Sequence, residues 1–313
     1  MPWLGEAPEI ADADVEEELE ADVVVVGLGC SGVPAARAAA EQGAKLVCLE
    51  ASPKLNSVAS DLAVLGGATQ EKWGRGDGFL DKKMIANMHM TECSHHSNYS
   101  IINRWCDESG AALDWFIEPS ANLYITEESY SEVPEESQAN YLYPYFVPML
   151  ESYDYTKEEM PCYPTSVGFS SLATVMADNL QVAIDAGADV RYNTKGVKLI
   201  TDDSGSVAGI YAQAAGSDKY IKINAKSVIL ATGDYLANEE MMKFYAPQCV
   251  ENGIQILSLD MDADGNYTNV GEATRWAFGR CCHRAVACAD DSPHGRRRRR
   301  GRSRRIGNNG FCG

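Results

Sequence analysis

The chain has 313 residues, of which 45% are hydrophobic and 23% are charged, a composition typical of a globular protein with a buried core. Its formal net charge of −18 is uneven, because residues 280–313 carry ten arginines against two aspartates, while the preceding residues carry 17 basic and 43 acidic side chains. An acidic body repels phosphate backbones, so nucleic acid is not an expected partner.

Neither a membrane span nor an export signal is predicted. No run approaches the ~18 apolar residues that a membrane-spanning helix needs. The first basic residue is Arg37 and residues 1–20 contain eight acids, which excludes the basic start of a signal peptide. We therefore expect a cytoplasmic chain, in which the scattered cysteines are reduced thiols.

The first predicted elements form a βαβ unit. Residues 1–20 are interpreted as an acidic leader, and the four valines at 23–26 indicate a strand that is buried on both faces. A glycine cluster follows, then an alanine-rich helix over residues 33–42 and a second strand over residues 45–50.

The remaining elements depart from a simple βα repeat. Residues 81–117 favour helices, whereas residues 117–163 contain ten acids and eight tyrosines and are interpreted as a loop-rich insertion, which either lines a substrate entrance or decorates the surface. Ser170 or Ser171 is expected to cap a helix that ends at Gly187. Three β runs then follow, joined by short turns that predict antiparallel neighbours: residues 189–199, 206–213 and 220–230.

The glycine cluster Gly27–Gly32 reads GLGCSG, with a strand before it and a helix after it. In a G-x-G-x-x-G turn the first glycine permits the bend, the second lets a pyrophosphate approach the backbone, and the third lets helix and strand pack closely. The helix N-terminus then presents N–H groups to the phosphates. Glu50 closes the second strand, where it is placed to accept hydrogen bonds from a ribose. The alternative is a glycine-rich turn without a ligand.

Glu50 fits NAD and FAD equally, so the rest of the chain must decide. A nicotinamide-binding domain would continue with further βα units, whereas this chain makes a long excursion and ends its last β run in Ala231-Thr232-Gly233. Together these segments resemble the flavoprotein family of fumarate reductase and succinate dehydrogenase, most closely its soluble, single-chain bacterial FAD reductases. An NAD(P)-dependent Rossmann dehydrogenase remains the alternative.

The resemblance covers about residues 8–279 and implies an α/β fold, namely a glutathione-reductase-like FAD-binding Rossmann domain (21–279) with an antiparallel β-meander. It also implies FAD as the cofactor. The family's contacts fall on these residues: Gly27, Gly29, Cys30, Ser31 and Gly32 at the pyrophosphate; Glu50 and Ala51 at the ribose; the backbone of Val197 at the adenine; Ala231, Thr232 and Gly233 in a second loop; and Glu272 closing over the cofactor. Thr232 should consequently lie close to the Gly27 loop.

The segment after the second strand departs from the family pattern. The family often has two glycines followed by Ser or Thr near the flavin ring, whereas this chain reads NSVASD at residues 56–61 and has its glycine pair later. We take four residues of this segment as the predicted flavin contacts: Ser57, Ser60, Gly66 and Gly67.

The implied reaction is the reduction of an activated C=C bond in a small unsaturated acid, such as fumarate, urocanate or a cinnamate, by hydride from reduced flavin, with an unidentified electron donor. In the family, a capping domain and a final segment that supply the catalytic His and Arg follow the helix beginning here at Gly271. Residues 280–313, rich in Arg and Cys, are instead interpreted as a disordered or out-of-frame tail. We therefore expect a C-terminally truncated, inactive chain whose capping and substrate domain is largely missing, and assign no catalytic residue. A non-catalytic FAD-binding fragment is a further alternative.

No metal site is predicted. Asp260, Asp262 and Asp264 imitate the start of an EF-hand loop, but the twelfth position is Gly271 rather than glutamate. A solvated turn explains these aspartates better than a calcium ion does.

Overall fold

The structure is a computed structural model that describes residues 8–55, 61–93, 95–127, 132–144, 165–233, 239–251, 260–261 and 267–268. Three predicted cofactor contacts (Ser57, Ser60 and Glu272), the interior of the aspartate-rich turn and the segment 280–313 lie outside the described residues.

Twelve strands and seven α-helices are formed by the described residues. The strands are β1 (Val15–Val26), β2 (Leu46–Leu49), β3 (Asp61–Ala63), β4 (Tyr124–Ile125), β5 (Tyr141–Pro144), β6 (Ser166–Phe169), β7 (Asp189–Arg191), β8 (Thr194–Thr201), β9 (Val207–Ala214), β10 (Tyr220–Leu230), β11 (Asp260–Met261) and β12 (Tyr267–Thr268). The helices are α1 (Gly32–Glu41), α2 (Gly67–Glu71), α3 (Lys82–Glu92), α4 (Tyr99–Ile117), α5 (Leu172–Asp185), α6 (Glu239–Tyr245) and α7 (Pro247–Glu251).

The main sheet has six strands in the order β7-β2-β1-β10-β9-β8. Strand β1 lies between β2 and β10 and is parallel to both, with Val26 opposite Leu49 on one side and Leu230 on the other. The carboxyl ends of these three strands therefore meet at one edge of the sheet, where ligands bind in open α/β sheets. Strands β10, β9 and β8 are antiparallel neighbours, as the short turns predicted.

The β run predicted over residues 189–199 is two strands on opposite edges of the sheet. Strand β7 pairs in parallel with β2, whereas β8 pairs with β9 at the far edge. Between them Asn193 adopts a left-handed conformation (φ 53°), which asparagine tolerates better than most residues. The single-run prediction was therefore wrong, because apolar alternation does not reveal which neighbour a strand pairs with.

Strand β1 begins at Val15, eight residues before the four valines. Residues 15–20, interpreted from sequence as part of an acidic leader, pair with the first half of β10. Cross-strand pairs explain why acidic side chains are accommodated: Lys222 Nζ lies 2.7 Å from Glu18 and Lys226 Nζ lies 2.6 Å from Asp22. Opposite charges on adjacent strands thus extend the strand beyond its apolar portion.

The C-terminal end of β1 is buried on both faces, as the run of four valines predicted. Val25 packs in a core cluster with helices α1 and α5, while Val24 and Val26 pack in a second cluster with β9 and β10. Helix α5 is capped by Ser171, whose Oγ accepts from the N–H of Thr174 (3.3 Å). The predicted apolar face of α5 is buried in the first cluster: Leu172, Val175, Met176, Leu180 and Ala183.

A second, four-stranded sheet has the order β3-β6-β5-β4 and is accompanied by helices α2, α3 and α4. Its strands β4 and β5 belong to the predicted insertion, and Leu142 on β5 is fully buried. The described part of residues 117–163 therefore contributes to a folded layer as well as to loops. Among the residues that the structure describes, no helix has both the length and the apolar character to cross a membrane.

Candidate functional site

The glycine loop, Gly27–Gly32, connects the carboxyl end of β1 to the first turn of α1. The N–H of Gly27 donates to the carbonyl of Leu49 at the end of β2 (2.7 Å), and the N–H of Ala231 donates to the carbonyl of Val26 (2.8 Å). Because Ala231 directly follows β10, the glycine loop and residues 231–233 leave the sheet side by side.

The first and third glycines of the loop are required by the fold itself. Gly27 has a left-handed conformation (φ 90°), and a Cβ there would overlap the carbonyl oxygen of Ala231 and lie 3.5 Å from Thr232 Cα. A Cβ at Gly32 would overlap the carbonyl oxygen of Gly27. The prediction that Thr232 lies close to the glycine loop is therefore confirmed.

The second glycine, Gly29, has no such reason to be glycine. Its φ lies outside the left-handed region, and a Cβ built on it would have no atom within 4 Å outside its chain neighbours. Neither backbone strain nor packing excludes a side chain, so the fold leaves open space on this side of the loop. That space is what a pyrophosphate lying against the backbone would need.

The backbone around Gly29 also offers hydrogen-bond donors. The N–H groups of Cys30 and Ser31 donate to no backbone or side-chain acceptor among the described residues. Ser31 is the N-cap of the ten-residue helix α1 and makes no side-chain capping bond. Unoccupied donors at a helix N-terminus favour an anionic group, so these residues fit the phosphates of a dinucleotide.

Glu50 is tied to the glycine loop. Its Oε2 accepts from the N–H of Leu28 (2.7 Å) and its Oε1 accepts from the N–H of Ser52 (2.9 Å). Each carboxylate oxygen has a second lone pair, so both can still accept from ribose hydroxyls. Ala51 follows and is exposed. The hydrogen bond from Leu28 to Glu50, which holds the glycine loop against the end of β2, was not predicted from the sequence.

Two further residues beside Glu50 were missed by sequence reasoning. Ser52 is buried, donates from its Oγ to the carbonyl of Lys54 (2.6 Å) and accepts at its own carbonyl from the N–H of Asn193 (3.0 Å). Burial, and to a smaller extent the nearby Glu50 carboxylate, raises the pKa of the Tyr192 phenol. Sequence spacing does not predict either residue, because the Ser52–Asn193 hydrogen bond and the closeness of Tyr192 to Glu50 both depend on β7 lying beside β2.

Val197 is the extra residue of a β-bulge. Gly196 pairs with Ala212 and Lys198 pairs with Tyr211, so Val197 has no partner in the β8–β9 register. A Cβ on Gly196 would lie 2.9 Å from Val26 Cγ1, which places the bulge next to the end of β1. Bulges expose backbone groups that regular pairing would use, and this suits the predicted role of the Val197 backbone.

Gly66 and Gly67 have left-handed conformations (φ 73° and 87°). A Cβ at Gly66 would overlap Asp77, and one at Gly67 would lie 2.7 Å from the backbone carbonyl of Gly110 on α4. The close approach of Asp77 to Gly66 and of α4 to Gly67 thus explains both glycines without a ligand, and their contact with flavin stays a prediction.

Two sulfur atoms meet beside the glycine loop, because Cys30 Sγ lies 3.9 Å from Met176 Sδ on α5. Cys30 is exposed.

Gly233, in the second loop, is left-handed (φ 82°) with open space around its Cβ position. Within the described ranges, no group of three His, Cys, Asp or Glu side chains could hold a metal ion.

A parallel βαβ unit with an open glycine loop, an acid closing its second strand and a second loop from β10 defines a dinucleotide-binding α/β protein. Comparison with protein families identifies the dinucleotide. The chain belongs to the family described as FAD binding domain, whose model matches residues 22–257. The match confirms FAD as the cofactor and settles the choice between NAD and FAD that Glu50 left open.

The chain is similar to curated urocanate and fumarate reductases. It is 29% identical over 260 residues to urocanate reductase from Eggerthella lenta, covering 82% of this chain and 37% of the relative. It is 26% identical over 250 residues to a fumarate reductase (cytochrome) from Shewanella frigidimarina, covering 76% of this chain and 38% of the relative. The chain thus spans well under half the length of these relatives.

Solved structures show the same fold. A 3-ketosteroid-Δ4-(5α)-dehydrogenase from Rhodococcus jostii RHA1 superposes with a TM-score of 0.56 at 23% identity, covering 78% of this chain and 52% of that one. A flavocytochrome c3 fumarate reductase superposes with a TM-score of 0.52 at 21% identity, covering 81% and 39%. The predicted fold class, an FAD-binding Rossmann-like domain with an antiparallel meander, is confirmed.

Proposed function

We propose that this chain is the cofactor-binding part of an FAD-dependent oxidoreductase that reduces an activated C=C bond in a small unsaturated carboxylic acid. The similarity to a urocanate reductase and to fumarate reductases supports this proposal, because urocanate and fumarate both carry a double bond conjugated to a carboxylate. When bound, FAD supplies the hydride for the reduction.

The observation that carries the proposal is the open, donor-lined face of the glycine loop. In our assignment the N–H groups of Cys30 and Ser31 bind the pyrophosphate in the space that Gly29 leaves. The Glu50 carboxylate accepts from the ribose while it braces the loop, and the backbone at Val197 reads the adenine. In this assignment the second loop, Ala231, Thr232 and Gly233, also contacts the pyrophosphate. Ala51, next to Glu50, also contacts the ribose.

Substrate binding requires a further cation, because a carboxylate held in a water-poor site needs a positive partner. The four arginines among the described residues all have intramolecular partners: Arg37 with Glu41 and Glu118, Arg75 with the Ser166 carbonyl, Arg104 with Glu108, and Arg191 with Glu17 and Asp189. Because these arginines are already engaged, we propose that other residues hold the substrate, and that this chain alone binds FAD without turnover.

Flavin binding is tested first. The purified chain should retain FAD with bound-flavin absorbance and quenched fluorescence, and should neither bind nor oxidise NADH or NADPH. A chain that takes up a nicotinamide nucleotide and no FAD would contradict the assignment.

The reaction is tested next, with a reduced dye and a panel of fumarate, urocanate, cinnamates and vinyl phenols. We expect no turnover by the chain alone, and turnover of an unsaturated acid once residues 1–257 are joined to the portion of the Eggerthella relative that follows its matched segment. Turnover by the chain alone would show that its own residues hold the substrate. A joined protein that retains FAD but reduces no acid would contradict the proposed reaction.

A further inference from the structure

Arg37 lies on α1, five residues after the helix begins at the glycine loop, and only 3% of its surface is exposed. A buried cation is costly unless several acceptors surround it. Alanine-rich helices of this kind need no charge on their inner face, so the position of Arg37 calls for a reason beyond helix formation.

The guanidinium of Arg37 connects α1 to the C-terminal end of α4. Its Nη1 donates to the carbonyl of Trp115 (2.6 Å), its Nη2 contacts Glu118 Oε2 (2.9 Å), and its Cζ lies 4.0 Å from the centre of the Trp115 ring. The Nε contacts Glu41 Oε1 (2.7 Å), whose other oxygen accepts from Trp115 Nε1 (3.1 Å). One cation thus satisfies a last-turn carbonyl of α4 and orders the acids around it.

The same guanidinium reaches α5. Arg37 Nη1 donates to Asn179 Oδ1 (3.0 Å), and the fully buried Asn179 donates through Nδ2 to the carbonyls of Phe116 (2.7 Å) and Val175 (2.8 Å). One turn before Asn179, Met176 meets the glycine loop at Cys30. Helix α5 is therefore fixed to α1 at Arg37 and touches the loop from which α1 starts.

We propose that Arg37 is a positioning residue for the cofactor site, which sets the N-terminus of α1 and the glycine loop against α4 and α5. This inference rests on the proposed placement of the FAD pyrophosphate at the loop. Among the described residues, the hydrogen bonds of the Arg37 side chain go to α1, α5 and the C-terminal end of α4 and none goes to the loop, so it acts through the helices. Loss of the Arg37 hydrogen bonds would let α1 shift against α5. The N–H groups of Cys30 and Ser31 would then no longer point at the proposed pyrophosphate position.

The test measures FAD affinity separately from stability. Arg37→Met keeps the volume and removes the bonds, while Arg37→Lys keeps the charge but replaces the fork by a single ammonium. Because small misplacements of a binding group cost large factors, we expect Arg37→Met to weaken FAD binding about tenfold to a hundredfold, with Arg37→Lys in between. The matched control is Arg104→Met, since Arg104 pairs with Glu108 on the exposed side of α4.

FAD titrations are run well below the melting temperature of each variant, with the visible circular dichroism of bound flavin as a second readout. A lowered melting temperature with parental FAD affinity in Arg37→Met would show a purely structural role and overturn the proposal. If Arg37→Met does not fold, parental affinity in Arg37→Lys would overturn it as well. Failure of the parent chain to bind FAD would instead overturn the cofactor assignment.

Discussion

The substitution Gly29→Ala distinguishes an effect on FAD binding from an effect on the stability of the fold. The added methyl group meets no atom within 4 Å, and the backbone there is not left-handed. Replacing glycine by alanine at a compatible position raises the free energy of unfolding by about 0.4–1 kcal/mol, because the unfolded chain loses freedom. We therefore expect the apo protein to be as stable as the parent, or slightly more so.

FAD binding should respond in the opposite direction. The methyl group would stand where the pyrophosphate approaches the N–H groups of Cys30 and Ser31, and a hydrogen bond to a charged group contributes about 1.5–3 kcal/mol. Loss of one such bond weakens binding roughly tenfold to a hundredfold, since about 1.4 kcal/mol corresponds to a factor of ten. Gly29→Val should weaken it further.

The assay combines thermal melts of the apo protein with FAD titrations followed by flavin fluorescence. Two other glycines provide contrasting controls. Gly32→Ala should unfold or strongly destabilise the protein, since its Cβ would overlap the Gly27 carbonyl oxygen. Gly187→Ala, in a left-handed turn after α5 (φ 96°), should lower stability without changing FAD affinity. Parental FAD affinity in Gly29→Ala, or a large loss of its stability, would refute the reasoning.

Three more predictions address the rest of the chain. Gly110→Ala should lower the free energy of unfolding by about 1–3 kcal/mol, because its Cβ would lie 2.5 Å from the backbone of Gly66; urea titration would measure this, and a stabilised variant would contradict it. The hydrogen bond from Arg191 lowers the pKa of Glu17 below its usual 4.5, so the stabilisation from this pair is fully present above pH 4.5 and is lost as the pH falls through the lowered pKa. The urea midpoints of the parent and Glu17→Gln should differ at pH 7 and converge as the pH falls through the lowered pKa, and a constant difference would argue against the pair. Bound FAD should slow alkylation of Cys30, as followed by peptide mass spectrometry, and equal labelling with and without FAD would contradict its place in the site.

The elements that sequence predicted well are those whose pattern is local. A run of four valines, a glycine turn and an alanine-rich helix determine the last part of β1, the loop and α1 almost independently of the rest of the chain. Helix α5 was predicted equally well, because a serine cap marks its start and a 3.6-residue apolar period marks its buried face. Its buried apolar residues in the structure are the ones that the pattern indicated, whereas the buried Asn179 was not predicted.

The elements that sequence misjudged depend on partners far away in the chain. The acidic first half of β1 carries no apolar signal, and it becomes a strand because lysines of β10, about 200 residues later, lie opposite its acids. Strands β7 and β8 are separated by two residues yet pair at opposite edges. The role of Arg37 was missed for the same reason, since all of its acceptors except Glu41 come from α5 and the C-terminal end of α4.

Within the site, sequence placed the glycine loop and Glu50, and the motif assigned the second glycine to the pyrophosphate. The motif carries no distances, so it could not show that the other two glycines are required by contacts within the protein. In the structure, Gly27 and Gly32 are demanded by the close approach of the Ala231 carbonyl and of the loop to itself. A chain that had lost its cofactor would still need both of them. For Gly29, neither a left-handed conformation nor a close contact within the described residues requires a glycine. Of the three motif glycines, it is therefore the one whose conservation as glycine would indicate a ligand rather than the fold.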